Sequence, residues 1–291
     1  MQPMLKWKQI PSYVSRGGNL MRRAGPWMSQ WVQRDSRFVS WNTQEGITAI
    51  FTTRLGGVSM PPFDTLNLSF NVTDSPAAVA ANRQRIMDVV DRKMDQLVMA
   101  EQVHHNRVGW VETADASKGA FRSADALPGL DGLLTRRTDV VLGMGFADCV
   151  PIFIAVPRHH IVGLLHAGWR GTVKGVQLRA VSLLKEAGID PQDIEIGMGP
   201  SIGPCCYEVD DTVACRFDEL LGAQSPLVPA REGHYFLDLW EANRAQFVRA
   251  GIPEAHIDIS RLCTACHRDQ FFSYRRDHGR TGRMGGFICM S

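Results

Sequence analysis

Short apolar runs bounded by polar or turn residues recur along most of the chain. Runs of this kind are typical of buried strands. They lie at 47–53, 97–100, 108–111, 140–146, 152–156, 161–165, 194–198, 271–274 and 286–289. We expect a strand at each of them, with 108–111 either continuing 97–100 or forming a hairpin with it.

Other stretches place apolar residues at helical spacing. The Asp-Ser-Pro sequence at 74–76 predicts the start of an amphipathic helix that continues to about residue 90. A single apolar face over 173–184 predicts one helix, and further helices are expected at about 211–221 and 238–250. Strands and helices alternate without a regular β-α-β rhythm, which favours a mixed α/β domain with more than one sheet.

The length of 291 residues suits one large domain or two small ones. We predict a single catalytic α/β domain over 34–291, with regular structure beginning near Phe38. It follows a poorly ordered extension over 1–33, which is basic and has no acidic residue before Asp35. The extension lacks the apolar segment of a secretory signal, and prolines and glycines interrupt it.

The net charge and the cysteine content indicate which binding partners and which cellular compartment to expect. Lys and Arg number 32 and Asp and Glu 30, so a net charge of +2 gives no reason to expect nucleic acid or an anionic membrane as partner. No apolar run approaches the roughly 20 residues that span a bilayer. Seven cysteines, an odd number, indicate reduced thiols and a cytoplasmic protein. We expect a small-molecule substrate and a monomer or small homo-oligomer.

Three segments place metal-binding side chains at predicted strand ends: Gln-Val-His at 102–104, Ala-Asp-Cys at 147–149 and His-Ala-Gly-Trp-Arg-Gly-Thr at 166–172. A His, a Cys and a second His suit a zinc ion that keeps one coordination position open. Their separations match no local zinc knuckle, and a packed His or Cys is the common alternative.

Seven segments in this order resemble the YfiH-type family of purine nucleoside phosphorylases, formerly known as laccase-like polyphenol oxidases. They are FTTRLGGVS, QVH, ADCVP, HAGWRGT, GPSIGPCCYEV, LDLWEANRAQ and FFSYRRD, and they span about 51–286. The resemblance implies an α-β-β-α layered sandwich with mixed sheets. It also implies a catalytic zinc held by His104, Cys149 and His166, with copper possible in the same site.

The resemblance further implies cleavage of adenosine, inosine and methylthioadenosine with phosphate, and in some members deamination of adenosine. Zinc would then polarise the nucleoside or activate a water. Phosphate would be bound by Arg54, in a Gly-Gly turn, and by Arg170, for which surface salt bridges are the alternative. Two departures bear on the site. The family usually has glycine after QVH where this chain has His105, and we select His104 as the ligand because adjacent side chains of an extended segment point to opposite sides. Asn71 stands in a segment that is usually richer in His and Gly, and it is a candidate for substrate binding.

Several other residues have two interpretations. Asp148 either takes part in catalysis by proton transfer or supports the neighbouring Cys149 ligand. The adjacent pair at 205–206 is interpreted as structural, and the Cys-Thr-Ala-Cys-His sequence at 263–267 resembles half a zinc knuckle without a second half. A basic cluster near the C-terminus is either a solvated turn or an anion-binding element; it contains Arg275, Arg276, Arg280 and Arg283.

Three other functions compete with phosphorolysis. A Cys/His or zinc hydrolase could remove misincorporated serine from peptidoglycan precursors, with Cys149 as nucleophile. A copper-dependent polyphenol oxidase is disfavoured because nine histidines include no His-x-His pair for several copper ions. A non-catalytic zinc-stabilised binding module is disfavoured because three ligands leave a position open, whereas structural sites close with four.

Overall fold

The computed structural model describes residues 30–43 and 45–291. Its strands are β1 (Gln30–Asp35), β2 (Phe38–Asn42), β3 (Ile47–Thr52), β4 (Leu97–Met99), β5 (Val108–Val111), β6 (Gly132–Thr135), β7 (Val141–Phe146), β8 (Val150–Val156), β9 (Ile161–Ala167), β10 (Glu195–Met198), β11 (Glu208–Asp210), β12 (Leu227–Arg231), β13 (His234–Leu237), β14 (Ile257–Ile259) and β15 (Met284–Met290). The α-helices are α1 (Pro76–Val89), α2 (Trp169–Lys174), α3 (Val176–Glu186), α4 (Asp211–Leu221) and α5 (Leu239–Arg249). Single 3-10 turns lie at Met94–Gln96, Thr113–Asp115, Ser123–Asp125, Pro157–His159, Pro191–Asp193, Gly222–Gln224 and Glu254–His256.

Two six-stranded mixed sheets form the body of the molecule. The first has the order β1-β2-β3-β15-β7-β4 and the second β14-β10-β8-β9-β6-β5. In each sheet antiparallel pairs dominate. A parallel pair closes one edge of the first sheet, β4 with β7, and both edges of the second, β5 with β6 and β10 with β14. A small third sheet has the order β11-β13-β12.

Alternation along the strands divides the core into three layers. Phe51 and Leu142 of the first sheet pack against Phe153 and Leu164 of the second. The outer face of the second sheet packs on α3, α4 and α5, and the outer face of the first packs on α1. Because side chains alternate between faces with a period of two, each strand serves two layers. The predicted α-β-β-α sandwich in a single domain is confirmed.

The predicted helices at 74–90, 211–221 and 238–250 are confirmed within a few residues. Ser75 caps α1 and Asp238 caps α5, each accepting a hydrogen bond from a first-turn backbone N–H. The single helix expected over 173–184 is two helices instead. Gly175, at φ 78°, adopts the left-handed conformation and separates α2 from α3.

Two strand predictions were wrong. β4 and β5 are neither continuous nor a hairpin, because they pair in different sheets. Residues 271–274 form no strand; Phe271 and Phe272 are buried in an irregular stretch between two turns. Among the described residues, regular structure begins at β1 (Gln30–Asp35), ahead of the start expected near Phe38. The rest of the predicted extension, 1–29, lies outside the described residues.

The chain crosses from one sheet to the other at residues 147–149. β7 ends in the first sheet at Phe146, and β8 begins in the second at Val150. The crossing lies beside the end of β9, since Val150 pairs with Ala167 and Pro151 with His166. The residues between the sheets are therefore brought to one end of the sandwich, together with the segment that follows β4.

No helix in the described part of the chain combines the length and the apolar character required to cross a bilayer.

The buried ring of Phe153 tests the packing between the two sheets. Phe153 is 0% exposed and contacts the rings of Trp31 and Trp41 at centroid distances of 5.5 and 6.4 Å. We expect Phe153→Ala to lower the free energy of unfolding by about 3–5 kcal/mol through the cavity it leaves. Phe121→Ala, the same change at a 52% exposed ring, should cost about 0.5 kcal/mol or less. Urea titration measures both, and equal losses would contradict the assignment of Phe153 to the shared core.

Candidate functional site

Three side chains predicted to share a site lie together at the sheet crossing. The ligand atoms of His104, Cys149 and His166 all lie within 4.8 Å of one another. The two imidazole rings meet edge to face, with centroids 4.7 Å apart and an interplanar angle of 81°. His105 is outside this group, and its Nδ1 lies 2.9 Å from Oδ1 of Asn106.

A buried carboxylate that sequence reasoning missed positions both histidines. Asp131 is 0% exposed, and its two oxygens accept hydrogen bonds from the backbone N–H groups of Val103, His104 and His105 at 3.1, 3.0 and 2.8 Å. Its Oδ1 also lies 2.9 Å from Nδ1 of His166. This contact leaves Nε2 of His166 for a metal, as in the carboxylate–histidine–metal arrangement.

The backbone around the site holds left-handed conformations without glycine. Gln102, His104 and Asp148 have φ angles of 62°, 58° and 87°. Such residues persist only where the surroundings over-determine them. The Gln102 side chain provides part of that restraint, since it bonds both the N–H and the carbonyl of Gly145 at 2.8 Å.

Gly168 has no room for a side chain. A Cβ at this position would lie 2.7 Å from Sγ of Cys149 and 3.4 Å from Cδ2 of His104. Glycine therefore allows the backbone after β9 to pass directly beside the cluster, which explains why the His-Ala-Gly sequence suits this turn.

The charges of the cluster are coupled. Burial favours a higher pKa for the Cys149 thiol, but the charge of His166 and hydrogen bonds from both histidines outweigh it and lower the pKa to about 6. Burial likewise opposes the charged form of His166, but Cys149 and Asp131 raise its pKa to about 9. For Asp131 the desolvation that accompanies burial is outweighed by the bonds from His166 and the backbone, and its pKa is lowered. Cys149 and His166 thus each favour the charged form of the other.

The donor set fits a metal ion. One thiolate and two imidazole nitrogens are ligands that zinc and copper accept, and the carboxylate behind His166 orients one ring. Three protein ligands leave a position open, as in sites where a metal contacts substrate.

A cleft of about 730 Å³ opens beside the cluster. Its volume lies in the range of small-molecule sites. The lining combines the cluster with three aromatic side chains, three arginines and several polar groups: Ser69, Asn71, Glu101, Gln102, Val103, His104, Gly145, Ala147, Asp148, Cys149, His166, Trp169, Arg170, Tyr207, Tyr274, Arg275 and Arg283. Of the residues predicted to bind substrate or phosphate, Asn71 and Arg170 are therefore brought to the cleft.

Arg54 is not brought to the cleft. Its guanidinium pairs with Asp64 at 3.1 Å, donates to the carbonyl of Asp64 at 2.8 Å and lies 4.7 Å from the centre of the Phe272 ring. These contacts fasten the turn after β3 to the loop over 268–272, which is the structural interpretation of this arginine.

The Asp148 carboxylate is occupied by hydrogen bonds, which disfavours a role in proton transfer. Its Oδ1 accepts from Thr264 at 2.6 Å, and its Oδ2 accepts from the hydroxyl of Ser273 at 3.0 Å and the N–H of Arg275 at 2.7 Å. A carboxylate occupied by three donors holds a loop in place, so the geometry supports the positioning role among the two predicted for Asp148.

Two arginines of the C-terminal basic cluster enter the cleft. Arg283 is half-buried; its guanidinium donates to the carbonyls of Thr281 and Gly282 and forms no salt bridge within the described residues. Burial lowers its pKa, which shows the cost of desolvating this cation. Arg275 lies over the ring of Tyr207, with its Cζ 4.8 Å from the ring centre. Arg276 instead pairs with Asp277.

Comparison with known proteins gives a consistent result. The family model described as multi-copper polyphenol oxidoreductase laccase matches residues 48–291. The purine nucleoside phosphorylase YlmD of Geobacillus stearothermophilus is 45% identical over 247 residues, which cover 84% of this chain and 90% of the relative. The purine nucleoside phosphorylase YlmD of Bacillus subtilis is 40% identical over 265 residues, covering 90% and 93%. The crystal structure of the Bacillus licheniformis hypothetical protein YfiH superposes with a TM-score of 0.88 at 39% identity, covering 90% of this chain and 99% of that one.

Replacing the buried carboxylate tests its hold on the cluster. In Asp131→Asn, amide hydrogens would face backbone N–H groups and His166 would lose its charged partner. We expect zinc affinity to fall roughly 10- to 100-fold, measured by titration against a competing chelator. Asp125→Asn, which removes a surface partner of Arg122, should leave the affinity unchanged. Wild-type affinity in the Asp131 variant would show that the histidines are held by other contacts.

Proposed function

The chain belongs to the multi-copper polyphenol oxidoreductase laccase family, and from this premise we propose that it is a zinc-dependent purine nucleoside phosphorylase. Its substrates would be adenosine, inosine and methylthioadenosine together with phosphate. The names of the curated relatives support the class of reaction. One observation carries the assignment to this cleft: Arg283, a half-buried cation without a carboxylate partner in the described chain, faces the same cavity as the His/Cys/His cluster.

A phosphate ion would provide Arg283 with a partner of opposite charge. A desolvated cation is stabilised by an anion, and guanidinium groups bind phosphate oxygens through paired N–H donors. Arg170 and Arg275 line the same cleft and are exposed, so they can approach the anion from the rim. Among the described residues, neither forms a salt bridge that would compete with phosphate.

The aromatic and polar lining suits a nucleoside. Trp169, Tyr207 and Tyr274 provide flat apolar surfaces on which a purine can stack. Ser69 and Asn71 offer hydroxyl and amide groups for the ribose hydroxyls. In the reaction a phosphate oxygen bonds to C1′ while the C1′–N9 bond breaks, and its electron pair leaves with the purine, which takes up a proton. The arginines keep phosphate beside C1′ and so supply proximity.

Zinc, when bound by His104, Cys149 and His166, supplies a Lewis acid at the cleft wall. The chain's own residues prepare that site: Asp131 fixes the histidines, and His166 and His104 lower the pKa of the Cys149 thiol and so favour its thiolate form. Copper is accepted by the same donors, so metal analysis accompanies the assays. Adenosine deamination is proposed as a second activity of the cleft, in which water would attack C6 and release ammonia.

A thiol hydrolase is the second candidate, and one observation favours it. His166 lies between the Cys149 thiolate and the Asp131 carboxylate, which is the order of nucleophile, base and orienting group. Such an enzyme would work without a metal, whereas the phosphorylase would not.

A product assay on purified, metal-quantified protein separates these functions. With inosine we expect hypoxanthine and ribose 1-phosphate, formed only when phosphate is present and lost on zinc removal or in Cys149→Ala. With adenosine and no phosphate, inosine and ammonia would report deamination. Free ribose as the sole sugar product, or turnover of the metal-free protein, would contradict the phosphorylase.

Arg283→Gln tests the proposed anion site. We expect the KM for phosphate to rise roughly 10- to 100-fold, because a hydrogen bond to a charged group contributes about 1.5–3 kcal/mol. The KM for inosine should change much less. Arg280→Gln removes a charge from the same turn outside the cleft lining and should leave both constants unchanged. An unaltered phosphate KM in the Arg283 variant would assign this arginine to folding alone.

A further inference from the structure

A second group of metal-binding side chains lies outside the cleft lining. Cys205, Cys206, Cys263 and Cys266 place all four Sγ atoms within 4.8 Å of one another. All four are free thiols. They come from two loops far apart in sequence, the Gly/Pro loop before β11 and the loop after β14, so only the fold assembles the group.

Backbone pairing holds the two loops together. Ser201 and Cys263 form a parallel β-bridge, in which Ser201 donates to the carbonyl of Leu262 at 3.2 Å and Thr264 donates to the carbonyl of Ser201 at 3.0 Å. The N–H of Gly203 donates to Sγ of Cys263 at 3.3 Å. The sulfur atoms are thus positioned by main-chain contacts before any ion arrives.

The spacing of the sulfur atoms fits a shared ion better than a disulfide. Sγ of Cys266 lies 3.5 Å from Sγ of Cys205 and 3.4 Å from Sγ of Cys206. A tetrahedral zinc with Zn–S bonds of about 2.3 Å separates its ligands by about 3.8 Å. A disulfide needs about 2.05 Å and would join only two of the four.

We propose that Cys205, Cys206, Cys263 and Cys266 bind one zinc ion as a closed tetrathiolate site, distinct from the open His104/Cys149/His166 site. Four protein ligands leave no position for substrate, so the ion is structural. Each thiol releases its proton to solvent as it binds, and no change of oxidation state is involved. Cys205 and Cys266 are exposed, which gives the ion a path to the site.

The site would fasten the loops that shape the cleft. Thr264, between the second pair of cysteines, donates to the Asp148 carboxylate, and Asp148 also receives Ser273 and the N–H of Arg275. Tyr207 follows Cys206 directly and lines the cleft. The four-cysteine group would thus act on Tyr207 through the adjoining backbone and on Arg275 through the contacts of Thr264 with Asp148.

Metal counting by mass spectrometry tests the proposal on the full chain purified with reductant and zinc. We expect two zinc ions per wild-type chain, one for each cluster. Cys266→Ser and Cys149→Ser should each retain one zinc, and the double variant none. Cys215→Ser, at an exposed cysteine outside both clusters, should retain two. In Cys266→Ser we also expect a lower melting temperature.

A second measurement keeps the test decisive if Cys266→Ser does not fold. Cobalt(II) is loaded into Cys149→Ser, where only the four-cysteine group is complete, and the absorption spectrum should show tetrahedral cobalt with strong thiolate charge-transfer bands. A wild-type chain with one zinc that Cys266→Ser retains would overturn the proposal. So would a disulfide between the two loops in place of a second metal, or iron in place of zinc. None of these outcomes depends on phosphorolysis, so failure of the proposed function would be seen separately.

Discussion

The hydrogen bonds of the Asp131 carboxylate are the contacts on which the rest of the site depends. A buried carboxylate is stable only if its oxygens are fully engaged, because an uncompensated charge in the interior costs several kcal/mol. Three consecutive backbone N–H groups and one imidazole meet that demand. To present those N–H groups the chain curls at His104 into a left-handed conformation, and this turn brings the imidazole toward Cys149. The hydrogen bonds that the buried Asp131 carboxylate requires thus help to place both His104 and His166.

The cleft is lined both by metal-binding side chains and by arginines. His104, Cys149 and His166 belong to the lining, and so do Arg170, Arg275 and Arg283. The Asp148 carboxylate is occupied by donors from the loop over 264–275. This lining allows one cavity to offer ligands for a cation and a place for an anion at the same time.

Local sequence patterns predicted where helices and strands lie better than they predicted which strands pair with each other. The capping residues Ser75 and Asp238 marked real helix starts, because a cap acts within one turn of the chain. Pairing of β4 and β5 in separate sheets could not be read from their apolar residues, since the pattern of a strand does not name its neighbour. The same limit applies to the site. His104, Cys149 and His166 were found through motifs, whereas Asp131 resembled any aspartate before a strand.

The arginines show the limit most clearly. Arg54 stood in a glycine turn that suited an anion, but Asp64 and Phe272 occupy its guanidinium. Arg283 was one of four arginines in the basic cluster near the C-terminus, and its half-buried position arises only when β15 and the cleft are assembled. The two pairs of cysteines at 205–206 and 263–266 likewise become one group only through the bridge between Ser201 and Cys263. That the chain passes from the first sheet to the second within 147–149 makes the ligand cluster a joint between the sheets. An ion held there adds its binding free energy to the cohesion of the sandwich, about 2.7 kcal/mol when its free concentration is 100 times the Kd. The concentration of free metal would then affect the lifetime of the folded protein, independently of its catalytic rate.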